Sequence, residues 1–299
     1  MATVRTVRRR RMSKLRLKEA IQGYLFLAPT LILFTVFSLI TVLMGFVYSF
    51  TDMTRVGEDF NWTLANFQYI FSDKMYLHSI LNVLIFALMS VPLTIVSSLL
   101  VAALLNRKIK GIKVFRVLYY LPAITSGIAT AFIWKWLFND HYGLLNTIIT
   151  KLFGGEGIKW ISSQSYFAMF CIAIVSAWTG LGGNTLVYLA GMRSISPELY
   201  EAADLDGANG FQKLMHITVP LLSPTTYFIM TMSLIGAFQL YDVVAMMGAT
   251  GYYTQTPVMY IVDSFGKLKI GEASAQSVVL FVVIMVVTFI TQSVVREKK

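Results

Sequence analysis

Positions without Asp, Glu, Lys or Arg cluster into six long runs: Ile21–Phe50, Met75–Leu105, Val117–Trp134, Trp160–Met192, Ile217–Tyr241 and Ala273–Val295. A helix needs about 17–25 apolar residues to cross roughly 30 Å of hydrocarbon, and each run reaches that length. The pattern predicts an all-α, polytopic membrane protein with six transmembrane helices. A seventh uncharged stretch, Val243–Val262, carries Gly248, Gly251, Pro257, Tyr252, Tyr253 and Tyr260. It reads as interfacial or cavity-lining, because irregular backbone facing lipid would strand its polar groups. Pro29, Pro92 and Pro122 fall inside the runs, where each removes a backbone hydrogen bond and predicts a kink, or a hinge for a transport motion.

The charges then orient the chain. Eighteen of the 25 lysines and arginines fall on one side: the N-terminal tail, the loop after the second run (Arg107 to Arg116), Arg193, Lys213 and the C-terminus. The other seven are Arg55, Lys74, Lys135, Lys151, Lys159, Lys267 and Lys269. Loops rich in Lys and Arg stay in the cytoplasm, so both termini are predicted to be cytoplasmic. The basic tail (1–20) directly precedes a long apolar run. It reads as a topology anchor that also meets anionic lipid, rather than as a nucleic-acid site. Residues 21–299 form one membrane domain. Trp134, Trp136 and Trp160 suit an aromatic belt at the outer face.

Composition agrees. Only 13% of residues are charged and 56% are hydrophobic, against about 25% charged in a soluble domain. Mean hydropathy is +0.66. The single cysteine, Cys171, can form no disulfide within the chain. His78, His141 and His216 are dispersed, so no metal site and no catalytic group is expected. No phosphate-binding G-x-x-x-x-G-K-[S/T] loop is present, so ATP cannot be used by that route. No internal repeat supports an inverted-repeat secondary carrier.

One polar segment, 191–220, interrupts the oil. Ser196-Pro197 looks like a helix N-cap and first position, and Glu198 falls in the favourable first turn. Glu201, Ala202 and Ala203 follow, with the alanines giving a close-approach surface. Gly207 and Gly210 bracket a turn. Phe211 to Ile217 predict a second short helix, and Pro220 marks entry to the fifth run. On these features alone the segment is either a docking element or a solvated connector.

Its spacing resembles the coupling-loop signature of permease subunits of ATP-binding-cassette importers: E-A-A, three residues, G, nine residues, I, one residue, L-P. Here Glu201-Ala202-Ala203, Gly207, Ile217 and Val219-Pro220 occupy those positions, with Val219 in place of Leu. Leu121-Pro-Ala-Ile-Thr-Ser-Gly, Trp134-Lys-Trp-Leu-Phe-Asn, Gly143-Leu-Leu-Asn, Trp178-Thr-Gly-Leu-Gly-Gly-Asn184 and Phe238-Gln-Leu-Tyr-Asp242 are similar to the carbohydrate branch, maltose-type and glycerol-3-phosphate-type. The Gly-Gly-Gly-Pro stretch common after the fifth span in that branch is replaced by Gly248-Ala-Thr-Gly251-Tyr-Tyr-Thr-Gln-Thr-Pro257.

The resemblance implies a type I importer permease fold in the bacterial cytoplasmic (inner) membrane. It implies four partners: a dimeric ATPase that binds the ATP and Mg, a second and different permease, an extracytoplasmic solute-binding protein, and lipid. The chain itself would bind no cofactor. Glu201, Ala202, Ala203, Gly207, Ile217 and Pro220 would form the ATPase-coupling loop. Neutral sugars need amides, hydroxyls and aromatic faces, which makes Asn184, Gln239, Tyr241 and Asp242 the substrate-path candidates. Asp242 reads equally as an interfacial residue with a structural hydrogen bond, and His78 as interfacial. Asn82 and Gln276 are polar positions of no assigned rank. The competing readings are a permease for another polar solute, such as glycerol phosphate or a polyamine, an ion-coupled carrier, or an integral membrane enzyme.

Overall fold

The computed structural model describes residues 14–296, apart from 56, 58, 107–111 and 163. The tail arginines up to Arg11, the Arg107–Lys110 charges and Lys298–Lys299 lie outside the described residues. Among those described, the chain is helical, with one isolated antiparallel bridge between Thr51 and Trp62.

The first run forms α1 (Lys14–Phe34), a π-helical segment at Thr35–Ile40 and α2 (Thr41–Ser49). After α3 (Ala65–Ser72), the Asp73 carboxylate accepts from the Met75 amide at 2.9 Å and so caps α4 (Lys74–Leu105). Pro92 sits inside α4 without ending it. The third run departs from a single span: it is divided into α5 (Ile112–Ile124) and α6 (Gly127–Leu137). Pro122 brings no N–H to the ladder, and Thr125 turns both its amide (3.2 Å) and its hydroxyl (2.7 Å) to the Leu121 carbonyl. Ser126 is then extended (φ −55°, ψ 135°) and α6 starts afresh.

An outlying α7 (Leu144–Phe153) precedes α8 (Tyr166–Arg193), the long fourth span. The loop region contains α9 (Pro197–Leu205), α10 (Gly210–Lys213), a π-helical turn at Leu214–Thr218 and α11 (Val219–Leu221). α12 (Ser223–Phe238) leaves this segment at 68°. The fifth run therefore does not begin its crossing at Ile217. Its first residues belong to the loop helix, and the corner is at Leu222. Finally come α13 (Asp242–Met247), α14 (Pro257–Gly266) and α15 (Ile270–Arg296). Among the described residues four helices are long and apolar enough to cross a membrane, and the bent pair around Leu222 would make a fifth.

α4 and α8 lie at the centre, with α5 and α12 against them and α15 joining α12, α14 and α2. Lipid removes the hydrophobic drive between helices, so close packing of small residues and hydrogen bonds must hold the bundle. Ala87 and Val91 of α4 meet Ile172 and Ala173 of α8, all buried. Thr185 donates to the Ser98 carbonyl at 3.4 Å, and Tyr188 to Thr226 at 3.1 Å. α5 crosses α8 at Gly182, where a Cβ would stand 2.8 Å from the Ala123 Cβ and 3.0 Å from the Tyr119 carbonyl. By contrast, the window of the first span packs nothing of itself inside the bundle. Its α2 end touches α15, where Phe46 and Phe281 meet edge-on at 5.9 Å.

The Val243–Val262 stretch is helical at both ends and irregular between them. Its free backbone is satisfied from within. Asn82 of α4 donates to the carbonyls of Tyr252 (2.8 Å) and Gln255 (3.0 Å), and Thr256 donates to Leu240 (2.8 Å). The His78 ring stacks on Tyr252 at 3.9 Å. Asn82 is thus a structural pin, and the loop is affordable at membrane depth because protein, not lipid, faces its polar atoms.

The crossing at Gly182 makes a paired prediction. Gly182→Ala should destabilise the protein by about 1–3 kcal/mol through overpacking, whereas Gly183→Ala, with nothing within 4 Å of its Cβ, should not. Thermal unfolding in detergent, followed by size-exclusion fluorescence, checks the difference.

Candidate functional site

Two constellations emerge: the helical loop between α8 and α12, and an open, largely apolar cavity between α4, α8 and α12 that carries several hydroxyls and an amide.

In the loop, Ser196 occupies the N-cap of α9 but its hydroxyl makes no capping bond, so Pro197 at the first position and Glu198 in the first turn set the helix start. The end is more firmly built. Gly207 is left-handed (φ +76°). Its amide donates to Asp204 at 3.1 Å, and the Ala208 amide reaches back to Ala203 at 2.9 Å. That 6→1 and 5→2 pair is a Schellman closure, which requires a residue free to adopt positive φ just after the helix. The spacing from Ala203 to Gly207 is therefore the spacing of a helix stop. Asn209 then opens α10 through a reciprocal capping box with Gln212, at 2.9 and 2.8 Å.

The two arms are clamped together. Lys213 pairs with Asp204 at 2.5 Å, and the Tyr200 and Thr218 hydroxyls meet at 2.9 Å. Ile217 packs on the cluster around Tyr188 and Leu222. At the corner, a Cβ on Gly191 would lie 2.9 Å from Leu222 Cδ2 and 2.7 Å from Thr225 Oγ1. The corner is thus wedged against the end of α8. Glu201, Ala202 and Gly207 are exposed, and Pro220 is exposed on the far arm. Ala203, Gly207, Ala208 and Ile217 line a notch of about 310 Å³. Two large apolar residues that the motif spacing does not single out stand on either side of Gly207 in sequence and are exposed, Leu205 at 91% and Phe211 at 66%. The signal in the sequence was a single apolar residue on each side of the Gly207 turn, set among charges.

The cavity, of about 390 Å³, opens between α4, α8 and α12. Ser90 and Thr94 of α4, Ser176, Thr179 and Asn184 of α8 and Ser233 of α12 supply its polar lining, alongside Phe86 and Met232. Of the four path candidates, Asn184 lines it. Leu240 also does, whereas its neighbours Gln239, Tyr241 and Asp242 do not. Gln239 and Asp242 are exposed, and Asp242 opens α13. The sequence did hold a signal for the hydroxyls: Ser90 and Thr94 are one helical turn apart, as are Ser176, Thr179 and Gly180, and Asn184 stands one further turn along. No Lys, Arg, Asp or Glu lines this cavity among the described residues. Among the described residues no cluster of His, Cys, Asp and Glu could hold a metal ion.

A loop of this build and a hydroxyl-bearing cavity between apolar helices point to a transport component. The profile described as binding-protein-dependent transport system inner membrane component matches residues 76–298. The chain belongs to that family. The arabinooligosaccharides transport system permease protein AraP of Bacillus subtilis is 32% identical over 274 residues, covering 90% of this chain and 86% of the relative. The trehalose/maltose transport system permease protein MalF of Thermococcus litoralis is 30% identical over 290 residues, covering 96% and 98%. The sn-glycerol-3-phosphate transport system permease protein UgpA of Yersinia pestis is 30% identical over 281 residues, covering 92% and 94%. The fold resembles that of a chain in the crystal structure of a bacterial ABC transporter that imports the acidic polysaccharide alginate. The TM-score is 0.80 at 21% identity, with 94% of this chain and 97% of that one covered. The protein is therefore a multi-pass, non-catalytic permease component.

The Schellman closure predicts a graded response at Gly207. Its Cβ space is open, so replacement costs conformation alone, about 1–2 kcal/mol. Gly207→Val should raise amide exchange of Gly207 and Ala208 about tenfold or more, and Gly207→Asn less, since Asn tolerates left-handed backbone. Hydrogen exchange read by mass spectrometry checks the order.

Proposed function

We propose that this chain is one permease half of an ATP-driven importer of a neutral carbohydrate in the bacterial cytoplasmic membrane. It would cross the bilayer six times with both termini in the cytoplasm. The α1–α2 segment, α4, the α5–α6 pair, α8, the bent segment ending in α12, and α15 would be the crossings. The eighteen-to-seven division of basic residues supports that orientation. A dimeric ATPase would bind ATP and Mg, a second and different permease would complete the path, and a solute-binding protein would deliver substrate outside.

The observation that carries this reading is the wedged corner at Leu222, which joins the clamped loop to a cavity-lining helix. ATPase closure would push on α9 through Glu201, Ala202, Ala203 and the exposed Leu205 and Phe211. A helical arm fixed at 68° to α12 and packed on Gly191 passes such a push to Met232, Ser233 and Gly236, which line the cavity. Access would then alternate between the two faces.

The cavity lining supports the choice of cargo. Hydroxyls and one amide suit a polyol. The lack of a cation among the described lining residues argues against an anion such as glycerol phosphate, and the lack of a carboxylate argues against a polyamine. AraP and MalF are named for transport of sugar oligomers.

Two outcomes are expected. Glu201→Lys and Gly207→Pro should leave the complex assembled on co-purification yet abolish sugar-stimulated ATP hydrolysis. Wild-type uptake in both variants would refute the coupling role. Asn184→Ala should raise the sugar concentration for half-maximal uptake about three- to tenfold, the span of one neutral hydrogen bond. A radiolabelled sugar panel, chosen by the specificity of the solute-binding protein, measures it.

A further inference from the structure

We propose that α7 is an in-plane membrane anchor, lying along the bilayer surface with its aliphatic face in lipid. The helix is apolar but, at ten residues, too short to cross. Leu144, Ile148 and Leu152 recur every four residues and are 41%, 45% and 71% exposed. That spacing puts them on one face, while Asn146, Thr147 and Thr150 occupy the other. Lys151 stands at the border of the two faces, where its stem can lie on lipid and its ammonium reach a phosphate.

The polar face is already spent on the protein. Asn146 is 3% exposed. Its Nδ2 donates to the carbonyls of Asp140 and Ile158, both at 2.9 Å, and its Oδ1 accepts from the Ile158 amide at 3.0 Å and Trp160 Nε1 at 2.9 Å. One amide thus staples α7 to the strap that returns to α8, and the aliphatic face is left partly exposed, most so at Leu152.

Continuity identifies the occupant. Ile128, Phe132 and Trp136 of α6 form an exposed stripe at the same four-residue interval, 53%, 54% and 49% exposed. Most of α6 falls within the charge-free third run, so this stripe faces lipid and ends in an interfacial tryptophan. A tight turn follows at once: the Asn139 side-chain oxygen accepts from the His141 and Tyr142 amides at 3.0 and 3.1 Å. α7 begins directly after it, so its aliphatic face starts within a few residues of the tryptophan end of that stripe. The face is Leu, Ile and Leu, without the Trp, Tyr and Arg anchors that dominate protein–protein contacts. A short amphipathic helix of this kind binds an interface through buried apolar area and a basic flank.

That the surface is the outer one rests on the orientation proposed above, whereas the lipid contact does not. The test uses the full chain with its co-purified subunits in vesicles of phosphatidylcholine and phosphatidylglycerol. Single cysteines replace Ile148, Leu152 or exposed Glu156 in a Cys171→Ala background, each carrying an NBD fluorophore. Part of the phosphatidylcholine is brominated in its acyl chains, and iodide is added outside or, in a second set, trapped in the lumen. We expect severalfold stronger lipid quenching at Ile148→Cys and Leu152→Cys than at Glu156→Cys, with iodide reaching only the last. Equal iodide access at all three sites overturns the anchor. So does protection of Ile148→Cys that arises only when a solute-binding protein is added. Lipid quenching at both helix sites, with iodide reaching Glu156→Cys only from the face that carries the ATPase, upholds the anchor and overturns the orientation.

Discussion

Everything in this molecule depends on how closely α4 and α8 approach. In a bilayer neither helix gains by hiding leucine from its neighbour, because lipid is as apolar as leucine. Attraction comes from dispersion at short range and from the few hydrogen bonds that lipid cannot offer. The facing surfaces are accordingly built of Ala87, Ala102, Ala168 and Ala173, with Ser98 and Thr185 bonded across the seam. Where the seam widens, serines and threonines remain on the walls and a cavity replaces contact. The same small side chains therefore hold the bundle and furnish its polar interior.

From that seam the rest is positioned. α5 is set by Gly182 and α12 by Ile229 and Tyr188. The corner at Leu222 converts a helix lying outside the span into the first turn of a helix inside it. Because Leu222 is 1% exposed and sits on Gly191, loop and span cannot swing independently without opening a void. A packed core is bistable rather than elastic, which is the mechanical property a rocking permease uses.

Much of this was legible in the order of residues. Charge-free runs locate the four long apolar helices found among the described residues because solvation is a local property of composition. The loop was legible because Ser-Pro, Ala-Ala and Gly at fixed intervals are instructions for starting, packing and stopping a helix. Where the reading fell short, packing had decided. Val117–Trp134 is apolar enough to cross, yet Pro122 and Thr125 break it. Ile217 looked like the start of a span because hydropathy does not see a 68° corner. The cavity hydroxyls were hidden for a similar reason. Thr179 satisfies itself by donating to the Ser176 carbonyl at 2.9 Å, so on paper it is one more tolerable residue in an apolar helix.

The solitary first span carries a last consequence. Tyr24, Leu25 and Phe26 are 70%, 73% and 88% exposed, and the contacts of this span gather at its α2 end, against α15 and where Asn66 donates to the Ser49 carbonyl. The α1 part of such a segment has few contacts within the described chain to lose. Its tilt and azimuth are set after synthesis, by whatever the bilayer brings alongside. To a quality-control protease, a bare apolar rod of this kind distinguishes an orphan subunit from an assembled one, so the abundance of this chain should be governed by that of its companions rather than by its own folding equilibrium.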